Sequence, residues 1–173
     1  MEILKLATEW AKSEVFSTRF FIFFAILFLT ASIGFWQIGK TEMAKAYIIP
    51  TLVAGILLMT IGIGLFYTNK SRVTAFESAF KDNVAAFVES ENERIESTLQ
   101  EYKTVVFKAI PIIIILAAVA IIFFSSPTWR AISITSIAML VVILLVDGTA
   151  HSRIENYNKE LKIETEKTIH NKV

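Results

Sequence analysis

Asp147, His151 and Glu155 follow one another at four-residue steps where the apolar run Met139–Val146 gives out, so on a helix they form a single polar stripe. An aspartate beside a histidine can relay protons or sense pH, because imidazole titrates near neutrality and a neighbouring carboxylate favours its charged form. The same residues also suit a helix that simply leaves a membrane there, with Gly148 packing closely and Asp147 bonded to Arg72, Arg153 or Lys70. Asp147 is the one acidic residue that continues a long apolar run, and charge at such a place is a functional candidate by default. Lys108 and Arg130 stand nearer the ends of their apolar segments, where long cationic side chains reach the interface.

Other chemistries are poorly provided for. The chain has no cysteine, hence no thiolate ligand or nucleophile, and its two histidines are too few for a structural zinc site. It contains no HExxH, GxSxG, GxGxxG or Walker sequence, and no paired membrane aspartates. No enzyme and no cofactor are expected. A net charge of +1, from 17 basic and 16 acidic residues, offers nothing to nucleic acid.

The elements that would position the stripe are plain. Four segments, 20–38, 46–67, 105–124 and 131–150, are nearly free of charge. Each is close to the ~20 residues that cross a ~30 Å hydrocarbon layer as a helix. Hydrophobic residues make up 54% of the chain and its mean hydropathy is +0.58, more than a soluble domain of this size can bury. The first segment exceeds a signal-peptide core and is preceded by Glu2, Glu9 and Glu14, so it reads as a retained span. Of the basic residues, 14 lie before the first span, between the second and third, and after the fourth, against 3 (Lys40, Lys45 and Arg130) in the other two loops. Lysine and arginine bias of this kind places both termini and the central linker in the cytoplasm. A bacterial inner membrane is the expected setting for a chain that shows no targeting extension.

The expected fold is therefore an all-α membrane protein, a single domain over 1–173, with four transmembrane helices as two hairpins. Residues 39–45 and 125–128 would close the hairpins. Pro50 and Pro111 read as helix-start residues. Amphipathic helices are expected between spans 2 and 3 and at both termini: segment 1–19, linker 68–104 and tail 151–173. In the linker, Val73, Phe76, Phe80, Val84, Phe87 and Val88, then Ile95, Leu99 and Tyr102, recur at helical spacing. Asp82 is an expected N-cap after Phe80-Lys81, and Ser90 has capping-box spacing to Glu93 before the second helical stretch. The mixed run Glu89–Glu96 argues against simple adhesion of this side to anionic lipid.

Three pairs, Thr30/Gly34, Thr51/Gly55 and Thr60/Gly64, have the small-xxx-small spacing of a close helix crossing, within the chain or between copies. Ser71-Arg72-Val73 with Phe76 and Phe80 parallels Ser152-Arg153-Ile154 with Tyr157 and Leu161, consistent with a duplicated hairpin or with the shared needs of two helices leaving one face. Functionally, the expectation is a small non-enzymatic membrane protein that binds itself or a membrane partner through helices, of accessory, regulatory or immunity type, with Phe76, Phe80 and Phe87 as the partner-binding face. The alternative is a homo-oligomeric channel or small transporter in which Asp147 and His151 respond to pH. Besides the lipid bilayer, a second copy or another membrane protein is the expected partner.

Overall fold

Inward-facing positions recur every three or four residues along the whole first helix, which is why it forms one unbroken rod. In the computed structural model, which describes residues 2–170, α1 runs Glu2–Ile38, and Ile3, Ala7, Trp10, Ala11, Ser17, Thr18, Phe21, Ala25 and Ser32 are its buried residues. Met1 and residues 171–173, including Lys172 of the basic tail, lie outside the described residues. A short helix, α2 (Glu42–Ala46), occupies the turn expected to be a loop. The Thr41 hydroxyl caps it by accepting from the Ala44 N–H at 3.1 Å.

Helix α3 (Ile48–Asp82) then returns antiparallel along α1. Ser32 donates to the Ile48 carbonyl at 2.8 Å, Gly55 lies on Leu29 and Ala25, and Gly62 lies on Phe21 and Ile22. Pro50 falls in its first turn, where the missing amide costs little. Of the three small-residue pairs, only Thr51/Gly55 lies in this contact. Gly34 and Gly64 have nothing within 4 Å, and Thr30 and Thr60 are exposed, so these two pairs cross no helix of their own chain. The second close approach is made by Gly62 instead.

A Cβ added at Gly62 would stand 2.9 Å from Ile22 Cγ1, 3.0 Å from Phe21 Cβ and 3.2 Å from the Ile22 backbone nitrogen. Gly62→Ile should therefore destabilise the protein by about 1–3 kcal/mol. Gly64→Ile, with open space around it, should change stability by no more than about 0.5 kcal/mol. Thermal unfolding in detergent distinguishes the two.

The helix break falls at Asn83, not where Asp82 or Ser90 was expected to cap. Asn83 has the extended backbone of an N-cap and its Oδ1 accepts from the Ala86 N–H at 3.1 Å, while Asp82 completes α3 and Ser90 lies inside α4 (Val84–Glu101). Asparagine and aspartate cap about equally well, so composition could not choose between neighbours.

Nor does Pro111 start a new helix. The rod continues from α4 through a π-helical segment, Tyr102–Ala109, into α5 (Ile110–Phe123). The Ile110 N–H donates to Val105, five residues back, and this wider turn admits the proline ring, which cannot join the ordinary ladder. A short link leads to α6 (Pro127–His170), whose 44 residues far exceed an apolar span.

Four of these rods are long and apolar enough to cross a membrane. Beyond the apolar segments, the start of α1, the end of α3, α4 and the end of α6 gather into a head. Its core is Ile3, Ala7, Trp10, Ala11, Phe76, Phe87, Ile95, Ile154, Tyr157 and Leu161. A second core, Phe21, Ala25, Leu58, Val142 and Val146, joins α1, α3 and α6 among the apolar segments. Helix α5 packs on α6 and touches neither α1 nor α3 closely.

Candidate functional site

Between the two cores on α1, α3 and α6, and inside the head core on α4, the inner stripe carries a polar residue where the period calls for an apolar one. On α1 it is Glu14, between Ala11 and Thr18; on α3 it is Asn69, between Gly62 and Phe76; on α4 it is Glu91, between Phe87 and Ile95; on α6 it is Asp147, beside Val146 and one turn before Ala150. Glu14, Asn69 and Asp147 converge on one cavity at the junction of head and apolar segments, whereas Glu91 lies inside the head core.

Glu91 is 4% exposed and fully engaged. Arg94 grips it through two bonds, Nε at 2.8 Å and Nη2 at 2.7 Å, and the Tyr157 hydroxyl donates at 2.9 Å. Such a two-pronged guanidinium contact fixes geometry as well as charge. The Trp10 ring stacks on Tyr157 at 5.4 Å, with the Arg94 guanidinium 4.1 Å and that of Arg72 5.9 Å from its centroid. Burial, then the adjacent Glu91 carboxylate, pushes the Tyr157 phenol well above its usual range. The proton stays on Tyr157, so the hydroxyl remains a donor to Glu91.

Glu14 accepts from Arg153 Nε at 3.0 Å, tying the exits of α1 and α6 together. Arg72 donates from Nη1 to Asn69 Oδ1 at 2.9 Å. Below these lies a half-open cavity of about 490 Å³ whose wall includes Trp10, Glu14, Asn69, Arg72, Arg94 and Asp147.

The expected stripe is divided among three surroundings. Asp147 faces the cavity, where no bond joins it to Arg72, Arg153 or Lys70. His151 is held edge-on by Phe107 at 5.0 Å and Tyr102 at 5.5 Å, with Nε2 buried and without a partner. Glu155 is exposed. No hydrogen bond connects the three, so the spacing does not build a relay in this state. Arg72 and Arg153, paired by the internal similarity, have different partners, although Phe76 and Tyr157 both reach the head core.

Phe76, Phe80 and Phe87 do not form a free face. Phe76 and Phe87 are 7% and 4% exposed, and Phe80 packs against them, all three rings meeting edge to face. The apolar stripe that suggested an interface is satisfied within the chain. Glu91 and Arg94, at the centre of the site, were concealed in the run Glu89–Glu96. Their signal was phase: Glu91 lies four residues from Phe87 and four from Ile95, on the buried side.

Among the described residues no group of three or more histidine or acidic side chains could hold a metal. The chain matches no protein-family model, and no curated protein or solved structure shows significant similarity to it.

Proposed function

We propose that the chain is a small, non-enzymatic integral membrane protein that acts by helix-mediated binding, to a second copy or to a membrane partner, as accessory, regulatory or immunity-type proteins do. Its apolar segments cross the bilayer as two hairpins, with the head and both termini on the cytoplasmic side where 14 of the 17 lysines and arginines lie. With the phenylalanines of the head consumed internally, the binding surface lies within the spans.

The observation that carries this reading is a groove of about 860 Å³ between the beginnings of α3 and α6, walled by Val53, Leu57, Ile132, Thr135, Ser136 and Met139. Thr135 is 4% exposed and its hydroxyl has no hydrogen-bond partner. A hydroxyl left unsatisfied in hydrocarbon favours a polar contact from another helix, and small residues beside it allow close approach.

Ser136→Phe fills the groove from a half-buried position. It should lower recovery of the associated subunit at least about tenfold, on the scale of one buried contact, while thermal unfolding is unchanged. Quantitative affinity purification from the native membrane measures this, and undiminished association of the folded variant would refute the groove as the binding surface.

A further inference from the structure

Two half-buried charged side chains of the junction cavity have no ion-pair partner among the described residues; Glu101, also unpaired in the wall, is exposed. Arg72 is bonded to the neutral amide of Asn69, and no carboxylate lies within 4 Å of it, because Glu14 and Glu91 are taken by Arg153 and Arg94. Asp147, half-buried in the same wall, forms no hydrogen bond or ion pair among the described residues. Charges drawn away from water are ordinarily paired. A cation and an anion left over in one cavity are the complement of a zwitterion.

The remaining wall is apolar, with Phe21, Ile61, Leu65 and Ile143 toward the apolar segments. Ile61, Leu65 and Val105 are at once cavity residues and exposed. Helix α3 and the segment Tyr102–Ala109 make no close approach, so the cavity opens sideways between them. The opening is at the level where apolar sequence gives way to charge, which is the level of lipid headgroups in the proposed orientation.

We infer that this cavity binds the headgroup of a zwitterionic amphiphile of the phosphoethanolamine class, its phosphate oxygens at Arg72 and its ammonium at Asp147. The acyl chains leave between α3 and the π-helical segment. Asp147 and Glu101, the unpaired carboxylates of the wall, make the cavity unfavourable to a lipid that carries only negative charge. A choline head would bring its positive charge but no N–H to donate to Asp147. The inference concerns the opposite end of the spans from the α3/α6 groove and does not depend on the function proposed there.

The test is native mass spectrometry of the full chain in detergent, offered phosphatidylethanolamine, phosphatidylcholine and phosphatidylglycerol of identical chains, with water-soluble phosphoethanolamine as a fourth arm. One phosphatidylethanolamine should be retained per chain, at least about tenfold in preference to the other two lipids, the scale of one charged hydrogen bond. Asp147→Asn and Arg72→Gln should each lower that retention by a similar factor with thermal unfolding unchanged. If Arg72→Gln does not fold, Asp147→Asn decides alone, since Asp147 forms no hydrogen bond or ion pair among the described residues. Equal retention of the three lipids, undiminished retention in the folded variants, or binding of soluble phosphoethanolamine as tightly as the lipid would overturn the assignment.

Discussion

Glu91→Ala should unfold the head. The substitution removes a carboxylate that accepts three hydrogen bonds and leaves the half-buried Arg94 guanidinium and the buried Tyr157 hydroxyl without that partner. Breaking a buried pair from one side costs about 3–5 kcal/mol, because the stranded charge stays in low dielectric. The stacked Trp10, which touches both stranded groups, loses its fixed surroundings as well. Removing the charges together is different: Glu91→Met combined with Arg94→Leu should recover most of the loss, since the hole is filled and no charge remains unpaired. Denaturant unfolding in detergent, followed by Trp10 fluorescence in a background with Trp36 and Trp129 changed to phenylalanine, measures both variants. A Glu91→Ala protein as stable as the parent would remove the buried network from the account.

Phe87→Ala should cost about 3–5 kcal/mol, as large-to-small changes of buried aromatic residues do, and Phe76→Ala nearly as much. Phe87 lies at the meeting point of α3 and α4, in edge-to-face contact with Phe76 at 5.5 Å and Phe80 at 5.6 Å, so its removal opens the break at Asn83. The apolar segments have a core of their own in Phe21, Ala25, Leu58, Val142 and Val146. Helical content in detergent should therefore fall only by the head's share. Limited proteolysis should cut near Asn83 in the variant and not in the parent. Were these phenylalanines a partner-binding face, the variants would lose association while the head stayed protease-resistant.

Much of the architecture was readable because a few strong constraints act locally. Four uncharged runs of about 20 residues identify helices suited to a hydrocarbon layer. The stripes Val73–Phe76–Phe80 and Ile154–Tyr157–Leu161 show that α3 and α6 continue past those runs, as they do. Where α4 begins was decided between adjacent Asp82 and Asn83 by which side chain reaches the Ala86 N–H, a matter of local geometry that either residue type could satisfy. At Pro111 the expectation of a fresh helix rested on the missing N–H alone, and the widened π-helical turn before it relieves the same constraint without a break.

The site was harder to read for a different reason. An amphipathic stripe states that a face is buried, not whether its cover comes from the same chain. Phe76, Phe80 and Phe87 carry the periodicity of an interface and of a core alike. The network around Glu91 and the cavity lined by Glu14, Asn69 and Asp147 both follow from packing several stripes in phase; a single helix reveals only a polar residue in an apolar register. Asp147 stood out because it continues an uncharged run, yet its neighbours in the fold are cavity residues from other helices rather than His151 and Glu155 of its own.

The most direct test of the central claim, that this chain works by association within the bilayer, is the subunit composition of the tagged protein extracted gently from its native membrane. Native mass spectrometry should find it with a stoichiometric second subunit, either another copy or a different membrane protein, and should find the Ser136→Phe variant alone. A parent protein recovered as a lone 19.5 kDa chain, with the head folded, would contradict the account.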